Sequence, residues 1–263
     1  MKRLNLRDPK PFDFSDQSGN EPPRARFICV AEGPTEESYI LGIRNNKAKL
    51  QIKSDVSIEV MPKEEGQEGY SHPMQLVEAC LYKMGRRDEE GNDIPETEWE
   101  ENCQWRYDPE VDTVCVIFDR DYKDLDKLLG DIYDLCEAHH IFVAISNPNF
   151  ELWLLMHFPQ IEQYDREWLL TNRKNLRGEL FPEASKEKKC LEILVSQKAE
   201  GYSKGRKIHF ERFLPGIEMA LEQTRMFCED ARSLRTELGT TVGALLRKMR
   251  MTKHASVNNT TIL

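Results

Sequence analysis

The chain lacks any apolar run near the roughly 18 residues that would suggest a membrane span, so the sequence offers no transmembrane segment. Its opening stretch, "MKRLNLRDPKPFDFSDQSGNEPPRAR", lacks the apolar core of a secretory signal, and a cytoplasmic protein is expected. Seven cysteines are present, but none has CxxC or CxH spacing, and several sit inside apolar runs where a thiol packs as a small hydrophobe. Reduced thiols and no zinc site are therefore expected. An excess of positive charge is missing too: 37 Lys and Arg stand against 46 Asp and Glu, a formal charge of -9. No internal repeat is visible.

The net figure conceals an asymmetry. From Gln160 to the end there are 19 Lys and Arg against 14 Asp and Glu, whereas the preceding part holds 18 against 32. An acidic part could hold metal ions while a basic part meets a polyanion; two solvated surfaces of different composition would give the same counts. At 263 residues, the chain is long enough for one large domain or two modest ones with real cores.

Residues 1–25, with Pro9, Pro11, Pro22 and Pro23, read as a flexible arm. "RFICVA" (26–31) is a short apolar run bounded by turn signals, as suits a strand buried on both faces. In "EGPTEESYILGI" after it, Gly33 and Pro34 end the strand. Thr35 can cap a helix whose positive end suits Glu36 and Glu37. Further strands are expected at 56–60, 111–118 and 141–146, and helices at 73–84 and 124–138. The polar, acidic stretch 85–110 reads as a surface insertion. Strands alternating with helices define an α/β class with a mostly parallel sheet flanked by helices. After Pro159 a helical region over 160–250 is expected, with helices near 165–176, 185–199, 207–232 (broken at Pro215) and 241–250. Residues 251–263 read as a flexible tail.

"VCVIFDRDY" (114–122) raises a chemical question, because Asp119 and Asp121 lie together where a buried strand stops and their charges repel. Arg120 between them would point to the opposite side of an extended chain, so it does not explain the pair. Glu32 follows the first strand directly, and ligands of parallel sheets gather beyond the strands' carboxyl ends. If the two strands are neighbours, three carboxylates share one rim. A hard cation such as Mg²⁺ or Mn²⁺ would remove the repulsion and suits phosphodiester chemistry. A lone Asp-x-Asp is also compatible with a turn or a cap.

"AEGPTE" (31–36) with "IFDRD" (117–121) resembles the Toprim domain of topoisomerases, primases and OLD-type nucleases. "ISNPNFELWLLMHF" (145–158), "YSKGRKIHFERFLPGIEMALE" (202–222) and "LGTTVGALLRKM" (238–249) resemble the RloB family, over about residues 26–250. In that family the last block typically reads closer to Asn-Pro-Ser-Thr-Thr-x-Val-His, and here the Pro and the His are missing. The resemblance implies a Toprim-like catalytic domain over 26–159, with Glu32 as the catalytic carboxylate and Asp119 and Asp121 as metal ligands. Glu151 also falls in the family motif. On an apolar helix it belongs either at an exposed first turn or in the metal site.

Asn147 and Pro148 suit a turn into that helix, although Asn147 could touch substrate or metal. Trp153 and Phe158 suit the core. His157 is a candidate acid or base and equally a hydrogen-bonded structural histidine. Lys204, Arg206 and Lys207 form a basic loop suited to phosphate contacts or merely to solvation. The resemblance implies a metal-dependent nuclease acting on RNA, tRNA or DNA in anti-phage defence beside an ABC- or AAA-type ATPase. A non-catalytic binding or regulatory subunit is the alternative, and homo-oligomerisation stays open.

Overall fold

A computed structural model of the chain describes residues 3–7, 23–67, 69–105, 107–121, 125–176 and 181–251. Most of the expected N-terminal arm and nearly all of the expected tail lie outside the described residues. Residues 3–7 do not belong to a free arm: Leu4 and Leu6 are buried, and Leu6 bridges to Lys63.

The sheet contains β1 (Ala25–Ala31), β2 (Val56–Val60), β3 (Asp112–Asp119), β4 (Phe142–Asn147) and a two-residue β5 (Gly239–Thr240), in the order β2-β1-β3-β4-β5. The first four strands are parallel, and only β5 runs against its neighbour. The side-chain period of two sorts the apolar runs onto two faces. Phe27, Cys29, Cys115, Ile117 and Ala144 enter one buried cluster, while Ile28, Val30, Val114, Val116 and Ile145 enter the other.

Helices α1 (Pro34–Asn45), α5 (Phe150–Leu155), α7 (Cys190–Lys198), α8 (Ile217–Gln223) and α9 (Val242–Met251) contribute to the first cluster; α2 (Pro73–Lys83) and α4 (Leu129–Ala138) contribute to the second. Short α3 (Trp99–Asn102) and α6 (Arg166–Thr171) complete the set. The C-terminal helices therefore cover one face of the sheet and share its core, rather than forming a body of their own.

The expected helix over 207–232 shortens to α8, flanked by turns. Gly216 lies so close to the His157 carbonyl that a Cβ there would overlap it. The acidic stretch 85–110 is a tied surface excursion. The Arg86 guanidinium lies 3.6 Å from the Trp99 ring centroid, and Trp105 enters the second cluster.

From β1 the chain moves through α1 to β2 on one side, then returns through α2 to β3 on the other side of β1. The strand order therefore reverses between β1 and β3, and the crevice beyond their carboxyl ends is where such sheets bind ligands. Register pairs Ala31 with Ile117, so Glu32 and Asp119 emerge together at that crevice.

Candidate functional site

Glu32 leaves β1 with its backbone N–H donating to the Ile117 carbonyl at 2.8 Å. Its Oε2 accepts from the Asp119 N–H at 2.8 Å. Asp119 is 5 % exposed, and its Oδ1 accepts from the Phe150 N–H at 2.7 Å, in the first turn of α5. Its Oδ2 faces the Lys204 ammonium at 3.3 Å. Next to Phe150 in the first turn of α5, the buried Glu151 accepts from the same ammonium at 3.2 Å and from the Tyr202 hydroxyl at 2.6 Å. Of the two placements expected for Glu151, the structure has it turned inward, beside Asp119 across Lys204. Asp121, already in a turn, pairs with Lys189.

Arg120 points away as expected, to Asp126 and to the Arg235 carbonyl. Glu32, Asp119 and Asp121, with Glu36, Lys189 and Lys204, line one cavity of about 460 Å³.

Burial dominates the electrostatics. It pushes the Glu32 carboxyl up to about 7; the Asp119 N–H and Lys204 oppose this, and Asp121 adds to it. Glu36 is likewise pushed up to about 7 by burial, against its own backbone N–H, with Glu32 and Glu151 adding to the rise. Asp119 is raised well above the ordinary aspartate range by burial, opposed by Lys204. Burial alone would lower Lys204, yet Asp119, Glu151 and Asp121 raise it, so its ammonium stays charged. The lysine is the counter-charge of a carboxylate cage, with its side chain still 38 % exposed.

The loop carrying Lys204 is fastened to α1. The Thr35 hydroxyl accepts from the Gly205 N–H at 3.1 Å and donates to the Arg206 carbonyl at 3.4 Å, while the Ser38 hydroxyl accepts from the Ile208 N–H at 2.9 Å. Gly205 has φ +73, a left-handed conformation that glycine adopts without strain. Lys204 thus lies inside the acid cluster rather than on a free basic surface, while Arg206 and Lys207 stay exposed beside it.

Asn147 and His157 belong elsewhere. The Asn147 amide donates to the Leu234 and Glu237 carbonyls at 3.0 and 2.9 Å, tying β4 to the turn before β5. His157 is buried among Tyr39, Trp153 and Phe213, with Nδ1 on the Trp153 carbonyl and Nε2 on the Tyr39 hydroxyl, both at 2.9 Å. Burial lowers it to about 4, so it is neutral near pH 7. It therefore has the surroundings of the structural histidine, at a distance from the acids. The "LGTTV" block is structural too: the Thr241 hydroxyl accepts from the Ile145 N–H and donates to the Val143 carbonyl, both at 2.8 Å.

Sequence reasoning missed Glu36, Lys189 and Tyr202. Glu36 sits in the first turn of α1, four positions after Glu32 at the strand end. Tyr202 lies two positions before Lys204. Lys189, in the charged run "SKEKK", carried no signal.

The donor set suits a hard divalent ion. Its oxygens are all carboxylate, and their negative charge already draws two ammonium groups. As the side chains stand, no three His, Cys, Asp or Glu among the described residues are arranged to hold a metal. Lys204 and Lys189 engage oxygens that an ion would take.

Fold and pocket define a doubly wound α/β protein whose switch point carries a carboxylate cage bridged by lysines. The family described as RloB-like protein matches residues 27–249, and the chain belongs to that family. No curated protein and no solved structure matches it. No helix among the described residues is long and apolar enough to cross a membrane.

Proposed function

We propose that the chain is a divalent-metal-dependent nuclease cleaving phosphodiester bonds, with RNA, tRNA included, favoured over DNA. The observation that carries this reading is the convergence of Glu32, Asp119 and Asp121 on one cavity at the sheet's switch point. These three would hold Mg²⁺ or Mn²⁺, with Glu36 beside them. When bound, such an ion polarises a phosphoryl oxygen and lowers the pKa of water.

The other side chains bind and orient. Glu151, held by Tyr202, keeps the Lys204 ammonium at the acids, from which it can pair with a phosphate oxygen. Arg206 and Lys207 extend the same loop as phosphate contacts. The family resemblance extends the proposal to an effector in anti-phage defence, working with an ABC- or AAA-type ATPase.

A second reading has one observation in its favour. Lys189 already engages Asp121, and Lys204 engages Asp119 and Glu151, as they would in a non-catalytic binding or regulatory subunit that breaks no bond.

The test is incubation of purified protein with total tRNA, single-stranded RNA and plasmid DNA in Mg²⁺, Mn²⁺ or EDTA, beside Glu32→Gln and Asp119→Asn. Metal-dependent cutting lost in both variants is expected. Glu32→Gln should unfold at or above the wild-type temperature at pH 8, because burial opposes ionisation there. Cleavage retained by Glu32→Gln would sink the nuclease reading. Silence in every condition would favour the second.

A further inference from the structure

A second cavity, of about 400 Å³, adjoins the acidic one and shares Asp121 and Lys189 with it. Three cationic side chains line it, Arg120, Lys189 and Arg235, against one carboxylate, Asp121, which Lys189 already engages. The two arginines are held side by side. Arg120 Nε donates to the Arg235 carbonyl at 2.9 Å, and both guanidinium groups approach Asp126, at 2.5 and 3.9 Å. Asp126 is 60 % exposed, so water screens it and it offsets the pair only in part.

The wall of the cavity includes Asn172, which is 4 % exposed. Its Oδ1 accepts from the Leu191 N–H at 3.0 Å, but its Nδ2 has no partner among the described residues. A buried amide nitrogen left without an acceptor is costly. The lining of this cavity thus carries three cationic groups against one carboxylate, whereas the cavity beside it is rich in carboxylates. A cation belongs in one and an anion in the other.

We propose that the second cavity is a phosphate subsite. It takes the phosphodiester group next to the one presented to the acidic pocket, on a single nucleic-acid strand. The inference rests on the nuclease reading of that pocket and adds to it where the strand runs: past Asp121, over Lys189, toward Arg120 and Arg235. Guanidinium groups suit this task because their planar N–H forks match phosphate oxygens. The subsite would set which bond lies over the acids.

The test is binding in EDTA, where no metal-dependent cutting can occur. Fluorescein-labelled oligo-U RNA and oligo-dT DNA are titrated with wild type, Arg235→Gln and Thr236→Glu, and the anisotropy is followed as salt is raised. Thr236 also lines the cavity, so a carboxylate there repels an anion while leaving the Arg120 contact with the Arg235 carbonyl in place.

Loss of one charge-assisted phosphate contact should weaken binding about tenfold. It should also reduce the slope of log affinity against log salt by about 0.7, the value for one phosphate on a single strand. Because both substitutions act on one phosphate, the double variant should lose no more slope than either single one. An effect confined to RNA or to DNA identifies the strand that the subsite serves.

Wild-type affinity and slope in both variants, with melting temperatures unchanged, would overturn the proposal. So would failure of wild type to bind either strand at low salt. A wild type that binds through this cavity but never cuts with any metal would instead refute the nuclease reading, so the two failures are distinguishable.

Discussion

Replacing Glu36 by Gln should make the protein more stable above neutral pH. Glu36 is 7 % exposed in the first turn of α1, and its carboxyl titrates at about 7 instead of 4.5. Burial is the main cause, opposed by its own backbone N–H, with the charges of Glu32 and Glu151 adding to the rise. An acid whose pKa is raised on folding contributes its full stability below about 4.5, loses it as pH rises through about 7, and changes nothing above that. At roughly 1.4 kcal/mol per tenfold, the gap corresponds to about 3 kcal/mol. Gln has nearly the same shape and no charge, so it escapes the loss. The variant should therefore exceed wild type by about 2 to 3 kcal/mol at pH 8 and match it near pH 4.5.

The assay is urea unfolding in EDTA across that range, followed by tryptophan fluorescence. Glu32 and Asp119 titrate in the same direction, so the difference between variant and wild type is the quantity to read. Millimolar Mn²⁺ should narrow the difference, because an ion favours the ionised wild type. A gap that stays flat with pH, or a variant weaker than wild type at pH 8, would refute the charge balance described for the pocket.

Three further outcomes follow from the same geometry. His157, lowered by burial to about 4, should make wild type lose about 3 kcal/mol as pH falls from 6.5 through 4; His157→Gln should flatten that slope in acid unfolding. Tyr202→Phe removes the hydroxyl from the buried Glu151 and should cost about 1 to 3 kcal/mol in urea unfolding at pH 7. A Cβ at Gly42 would overlap the Phe210 ring, so Gly42→Ala should cost about 1 to 3 kcal/mol and speed proteolysis of the neighbouring 203–209 loop.

The strands β1, β3 and β4 were legible because strands buried on both faces demand short, mostly apolar runs, and the edge strand β2 because its apolar residues alternate. The structure moves β3 and β4 by a single residue from the expected bounds. The meeting of Glu32 and Asp119 followed from that same sheet once their strands proved adjacent. Strand β5 was invisible because two residues carry no periodicity. The break expected at Pro215 is present, where Gly216 presses against the distant His157, but only Ile217–Gln223 of the expected 207–232 span is α-helix. Lys204 was legible as a basic residue but not as a counter-ion, since its acid partners lie 85 and 53 positions away. Leu4 and Leu6 show the alternation of an extended segment, a signal that the prolines after them obscured.

The hydroxyls of Thr35 and Ser38 hold a loop about 170 positions further along the chain. A ribosome makes the acids first: Glu32, Glu36, Asp119, Asp121 and Glu151 all emerge before Lys189 and Lys204 have been polymerised. Until the loop arrives and docks on α1, the nascent protein carries a carboxylate cluster without its counter-charges. Domains commonly begin folding from the N-terminal side during synthesis. This pocket cannot settle in that way, and its charge balance is a late event in the life of each molecule.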